Sequence, residues 1–353
     1  MPLNNNQKKQ TPLLIFRTLL FIGTAVSLFF VPWILVKAWI LPLPNSVQQQ
    51  VDEIVDYGFD GVIVYVDQAG KPPAFYTAGW KDKHLKTPAD PHSLFKIASI
   101  SKLYVAVSIA KLAHQQSLSL DDTVADYFPE LVGKIEYAEL ITIKMLVSHR
   151  SGIPNFTDNP EFWQNEQLNG QDPLPFALAL STSFKPDEDY EYSNTNYYLL
   201  RQIIEKVTGK DHNQYIKQEI LIPLGLNNTF ASIKDVKLDE VMSGYYVGID
   251  ADFKENENGM LATAEDVGRF IRALNDGSVF KPGERAIYDQ IYEYEHGGLV
   301  PGYQSLAEYH KNSDTVVVQF MNTTDFEGYH WNLSQIFMGR IEKIIERERT
   351  QSQ

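Results

Sequence analysis

The chain has no cysteine. That excludes disulfides, thiolate-bound zinc or iron–sulfur clusters, and a cysteine nucleophile. Other signatures are missing too. There is no H-E-x-x-H, no G-x-S-x-G, no Walker A and no G-x-G-x-x-G, and the eight histidines are scattered. Metal and nucleotide chemistry therefore have no anchor, and no cofactor is implied. Acid is absent from the first 50 residues, which carry Lys8, Lys9, Arg17 and Lys37. The remainder then holds 27 bases against 45 acids, a net charge of −18. A body that acidic repels a phosphate backbone, which argues against nucleic-acid binding. No internal repeat and no long linker interrupts it.

What is present is an ordinary globular composition, with 44% apolar and 22% charged residues in 353. At ~100–200 residues per domain this is one large domain or two smaller ones. Residues 18–36 form a run of 19 without a charge. A membrane-spanning helix needs ~20 apolar residues, whereas the apolar core of a signal peptide is ~7–15 long and precedes a small-residue cleavage site. Lys37-Ala38-Trp39-Ile40-Leu41 is no such site. The reading is an uncleaved single-pass anchor over residues 18–41, with Trp33 and Trp39 at the interface. Three bases precede the run and one follows it. Residues 1–17 are accordingly expected in the cytoplasm, and everything after about residue 42 across the membrane.

The body alternates in character. A helix is expected over 46–57, followed by a hairpin of strands 61–66 and 74–80 around Gly70-Lys71-Pro72. Residues 101–113 read as a helix. Residues 117–285 are mostly helix and loop, with helices over 141–147, 197–207, 214–220 and 264–274. Strand character returns at 303–310 and 315–321, flanking Lys311-Asn312-Ser313-Asp314, and a last helix covers 331–347. Strands at both ends and helices between imply one sheet built from both ends with a helical region inserted. The expected fold is therefore α/β, an α+β sandwich, rather than two independent domains.

S-x-x-K occurs three times: Ser93–Lys96, Ser99–Lys102 and Ser108–Lys111. A nucleophilic serine belongs on the first turn of a helix, where free N–H groups can hold an oxyanion. A lysine one turn on then shares its face. Ser108 falls in mid-helix and Ser93 in a loop before the helix. Ser99 lies at the expected helix start.

The surrounding sequence extends this. Phe95-Lys96-Ile97-Ala98-Ser99-Ile100-Ser101-Lys102 resembles the active-site segment of the penicillin-recognising serine hydrolases. Further segments match in order. Met145-Leu146-Val147-Ser148-His149-Arg150-Ser151-Gly152-Ile153-Pro154 resembles their "LLSHTSGIP" stretch. Tyr190-Glu191-Tyr192-Ser193-Asn194 resembles the Y-S-N block. Pro223-Leu224-Gly225-Leu226 with Thr229-Phe230, and residues 259–267, resemble two later blocks. His296-Gly297-Gly298-Leu299-Val300-Pro301-Gly302-Tyr303 resembles the "HGGxxPGY" form of the third motif. The likeness spans about residues 46–345 and is nearest to class C β-lactamases with the related D,D-peptidases and esterases.

This resemblance implies a β-lactamase/transpeptidase-like domain over 46–349. Its α/β part would comprise 46–95 and 285–349, and its mainly helical part 96–284. It implies Ser99 as nucleophile and Lys102 and Tyr192 as the proton-handling pair, with the base left open between them. Asn194 would orient Lys102 and meet the substrate amide. His296 would support Tyr192 and a substrate carboxylate. Gly298 would admit substrate backbone, and the N–H of Leu299 would join that of Ser99 as the oxyanion hole. His149 reads as structural. The segment Ile291-Tyr292-Glu293-Tyr294-Glu295 departs from the family pattern. Its two glutamates would either raise the pKa of His296 or discourage an anionic substrate, which weighs against efficient β-lactam turnover. If His296 works as a neutral partner, activity is expected to rise through about pH 6–7. The resulting expectation is a membrane-anchored, extracytoplasmic hydrolase acting on D-Ala-type peptides or related small amides and esters. An esterase or weak β-lactamase, and a catalytically silent tethered scaffold, stand as alternatives.

Overall fold

The computed structural model describes residues 5–164, 172–256 and 259–351. Two units separate after Pro42.

In the first unit the apolar run is not one helix. α1 (Asn5–Phe29) stops, and α2 (Trp33–Ile40) restarts. Pro32 lacks an N–H and its ring opposes the preceding turn, so the helical ladder breaks there. Phe30 and Val31 N–H instead close short turns to Ser27 and Leu28. Among the described residues no single helix is long and apolar enough to cross a membrane. Leu14–Phe29 and Trp33–Ile40 qualify only together, bent by 80°. The anchor expected over residues 18–41 is therefore not one continuous helix.

In the second unit, a Ser46 cap accepting from Gln49 N–H opens α3 (Val47–Ile54). The described strands are β1 (Gly61–Gln68), β2 (Ala74–Asp82), β3 (Thr87–Pro88), β4 (Phe95–Lys96), β5 (Thr229–Phe230), β6 (Tyr245–Tyr246), β7 (Leu261–Ala262), β8 (His296–Val300), β9 (Tyr303–His310), β10 (Thr315–Met321) and β11 (Thr323–Thr324). Six form an antiparallel sheet in the order β3-β2-β1-β10-β9-β8. The expected joining of both chain ends is the β1–β10 pairing, with Ile63 opposite Phe320 and Val64 opposite Gln319. β1 and β10 are buried almost throughout because helices cover both faces. The helix Ala264–Asp276 packs so closely that a Cβ at Gly268 would lie 2.3 Å from the Tyr65 ring.

α4 (Ser101–His114) follows a 3-10 turn at Ala98–Ile100. It is buried from Ser101 to Leu112, as its nearly all-round apolar sequence requires. Two aromatic stacks fix its position. Phe95 lies on Phe320 at 4.4 Å, tying the segment before Ser99 to the sheet, and Tyr104 lies on Phe270 at 3.7 Å.

The two other S-x-x-K lysines are structural. Lys111 forms a buried 3.0 Å pair with Glu284. Lys96 donates at 2.7 Å to the carbonyls of Phe253 and Asn256, pinning that loop.

Candidate active site

Two of the expected residues, Lys102 and Tyr192, converge on Ser99 Oγ, and a third, Asn194, holds Lys102. Lys102 Nζ donates to Ser99 Oγ at 3.0 Å and to Asn194 Oδ1 at 2.7 Å. Tyr192 O–H donates to Ser99 Oγ at 2.7 Å. Local structure explains each position. Ser99 sits in the 3-10 turn, so Lys102, three residues on, lies one turn above it. Ala98 before it adopts a left-handed φ of +49°, which costs a non-glycine residue energy and is found where a side chain must be aimed. Asn194 opens the helix Asn194–Thr208, and its N–H and side-chain amide both donate to Asn155 Oδ1, at 3.1 and 3.2 Å. That clamp turns Asn194 Oδ1 towards Lys102.

β8 forms the other wall. It is an edge strand, and Gly298 is pressed against the segment before Ser99. A Cβ there would lie 2.4 Å from Ile97 O and 2.4 Å from Ser305 Oγ. The loop Pro301-Gly302 joins Val300 directly opposite Tyr303, with Gly302 at φ +84°. Hydrogen-bonded and open pairs alternate along an antiparallel ladder, which turns the Leu299 N–H away from β9 and towards the cleft. Leu299 is exposed there.

His296 departs from expectation. Its Nδ1 contacts the Gly297 carbonyl, which only accepts, so Nδ1 carries the proton. Its Nε2 then accepts from Tyr292 O–H at 2.9 Å. The Tyr192 and His296 ring centres are 6.3 Å apart, so His296 supports Tyr192 by proximity and not through a hydrogen bond. Its pKa is lowered, although a Glu293 carboxylate oxygen lies 3.3 Å from Nε2. Burial, with the Lys102 cation adding to it, lowers the pKa to about 4 despite the Gly297 carbonyl bond. His149 is similar, lowered to about 3 by burial and by the neighbouring Lys102 and His296. Its ring underlies Tyr192 at 4.6 Å, and its Nδ1 accepts from Ser193 N–H.

The proton-handling pair is split by its surroundings. Burial, helped by the Arg201 cation, holds Lys102 well below its usual 10.5. Burial pushes Tyr192 up to about 12, against the Ser99 hydrogen bond. At neutral pH Tyr192 therefore keeps its proton, and Lys102 is the group made ready to accept one. Asn155, Tyr292 and Arg201 belong to this site and escaped the sequence reading. Asn155 directly follows the Gly152-Ile153-Pro154 block, and Tyr292 lies in the departing segment, where the chain forms a turn before β8 rather than another strand.

The pH dependence follows from these directions. Neither histidine titrates between pH 5 and 9, so the expected rise through pH 6–7 is replaced. kcat/KM on a neutral ester should climb as Lys102 loses its proton and fall only as Tyr192 loses its own near pH 12. His296→Gln should leave the profile between pH 5.5 and 9 unchanged in shape. A midpoint at 6–7 that disappears in that variant would refute this. Stability carries the opposite signature of the same groups. Both histidines have folded values below the unfolded ~6.5, so their contribution is complete above pH 6.5 and is lost as pH falls through 4 and 3.

A family model described as Beta-lactamase matches residues 47–290. The chain belongs to the beta-lactamase family. Among curated members, it is 32% identical over 211 residues to Protein flp of Staphylococcus aureus strain MW2, covering 58% of this chain and 42% of that protein. It is also 32% identical over 178 residues to Penicillin-binding protein 4* of Bacillus subtilis strain 168, covering 48% and 38%. The chain thus spans about two-fifths of the length of the curated relatives it matches. The fold is similar to that of D-amino acid amidase from Ochrobactrum anthropi SV3, with a TM-score of 0.75 at 22% identity over 86% of this chain and 99% of that one. It is also similar to a penicillin binding protein from Bacillus halodurans, with a TM-score of 0.71 at 20% identity over 86% and 100%. Within this beta-lactamase-family domain, an antiparallel sheet covered by helices carries the Ser99 cluster.

Proposed function

We propose that this chain is a membrane-anchored serine hydrolase that opens D-Ala-type peptide, amide or ester bonds on the far side of the membrane. The observation that carries the reading is the convergence of Lys102 Nζ and Tyr192 O–H on Ser99 Oγ beside an open strand edge. Neutral Lys102 takes the Ser99 proton while Oγ attacks the carbonyl carbon. The oxyanion is received by the N–H groups of Ser99 and Leu299. On collapse the carbon–leaving-group bond breaks, Tyr192 passes its proton to the leaving atom, and the Lys102 ammonium reprotonates Tyr192. Water then attacks the acyl-enzyme, giving its proton to Lys102 and restoring the Ser99 hydroxyl. Asn194 keeps Lys102 in line and meets the substrate amide, while β8 receives substrate backbone along its free edge. The anchoring reading draws on the apolar pair Leu14–Phe29 and Trp33–Ile40, with Lys8, Lys9 and Arg17 ahead of it.

The test is intact mass and peptide mapping of the full chain after exposure to a neutral nitrophenyl ester and, separately, to penicillin. The expected result is a stoichiometric acyl adduct on Ser99 with the ester, and a slower one with penicillin. No adduct and no turnover of either would overturn the hydrolase reading in favour of a silent scaffold.

A further inference from the structure

We propose that the leaving-group side of this cleft is walled by negative charge, so that the enzyme takes substrates whose leaving group carries no carboxylate. The inference deepens the hydrolase reading above and rests on it.

Tyr192 protonates the leaving atom in that reading, so the leaving group must lie beside the Tyr192 hydroxyl. Near Tyr192 stand His296, with its ring centre 6.3 Å away, and Tyr190 and Glu293, both of which act on it electrostatically. His296 offers an anion nothing. Its only N–H is spent on the Gly297 carbonyl, and its other nitrogen is occupied by the Tyr292 hydroxyl at 2.9 Å. Tyr190 is exposed and uncharged. Glu293 places a carboxylate oxygen 3.3 Å from His296 Nε2, with its side chain 58% exposed towards solvent. An imidazole that keeps its proton on the far nitrogen cannot neutralise that carboxylate. Burial does most to keep the Tyr190 and Tyr192 phenols protonated, and the Glu293 charge adds to it in both.

The two basic side chains of the site, Lys102 and Arg201, are committed elsewhere. Lys102 is 3% exposed and committed to Ser99 and Asn194. Arg201 reaches back to Ser101 Oγ at 3.3 Å. Among the described residues, a substrate with a free carboxylate next to the scissile bond meets Glu293 with no compensating cation in contact with it. One ending in an amide, an amine or an alkoxy group does not.

Two substrates with the same acyl half separate these cases: N-acetyl-D-alanyl-D-alanine and N-acetyl-D-alanyl-D-alaninamide. Both are assayed with the full chain at pH 7.5, with a neutral nitrophenyl ester as a third probe. The wild-type chain should favour the amide at least tenfold in kcat/KM. In Glu293→Gln that ratio should shrink at least threefold, mainly through KM for the free acid. Glu295→Gln makes the same change in net charge and should move the ratio less than twofold. A wild-type preference for the free acid, or a ratio unmoved in Glu293→Gln, would overturn the inference while leaving the hydrolase reading intact. If the ester also fails to acylate Ser99, the hydrolase reading falls and this inference falls with it.

Discussion

Lys102→Met should silence the enzyme and at the same time make it more stable. The loss of activity follows from geometry. Lys102 is the group positioned 3.0 Å from Ser99 Oγ with its pKa driven down, and methionine cannot accept a proton. A general base is worth ~10²–10⁴-fold, so kcat/KM should fall in that range. The gain in stability follows from burial. Lys102 is 3% exposed, and no carboxylate contacts its Nζ among the described residues. The unfolded chain holds this lysine protonated up to about 10.5, whereas the folded chain resists the charge. At pH 7 that difference opposes folding. Replacing buried charged groups by well-packed apolar ones is often neutral or stabilising. Asn194 Oδ1 loses a donor, which offsets part of it. Thermal unfolding should show a raised Tm, and Ser99→Ala should lose ~10⁶-fold in kcat with Tm nearly unchanged. A Lys102→Met protein that is less stable than wild type would show that the lysine is a structural pin and not a strained catalytic group.

Gly298→Val should cost both activity and stability. Even the first added carbon would stand 2.4 Å from the Ile97 carbonyl oxygen, which is backbone and cannot swing aside. Ser305 could rotate, but Ser305 Oγ also donates to that same carbonyl at 3.2 Å. Relief therefore requires β8 and the Ser99 turn to separate. Overpacking of this kind costs about 1–3 kcal/mol. A displacement of ~1 Å between the nucleophile and the oxyanion donors costs ~10²-fold in rate. Gly297→Ala is the useful contrast, because the nearest atoms to its added carbon belong to the ends of the Trp331 and Leu306 side chains. Paired kcat/KM and Tm measurements check both. Equal activity in Gly298→Val and wild type would mean that the contact does not set the cleft width.

The parts that were legible in the sequence are those governed by local pattern. β9 and β10 fall on the expected residues because two apolar runs are split by a polar four-residue turn. The closeness of Lys102 to Ser99 is legible because three residues is one helical turn, but Ser93–Lys96 and Ser108–Lys111 share that spacing, and only position at the helix start and the surrounding blocks set Ser99 apart. The N-terminal break was not legible, because an uncharged run has the same composition straight or bent, and Pro32 alone does not announce an angle. Asn155 acts across 39 residues and Tyr292 across a turn, so neither has a periodic signature. The state of His296 depends on burial, a backbone carbonyl and a phenol brought in by folding, none of which the sequence pattern shows.

The free edge of β8 has one more consequence. The far side of the sheet ends in β3, two residues long and reached through a register shift, which offers little to pair with. β8 cannot be protected that way, since a covered edge would receive no substrate. Any extended segment with the right spacing, including a neighbouring copy's, meets the same row of N–H and C=O groups. Five residues, two of them glycine, keep that strand short and intrinsically weak as a template. Lengthening β8 or enriching it in branched residues would turn a docking groove into a route to self-assembly.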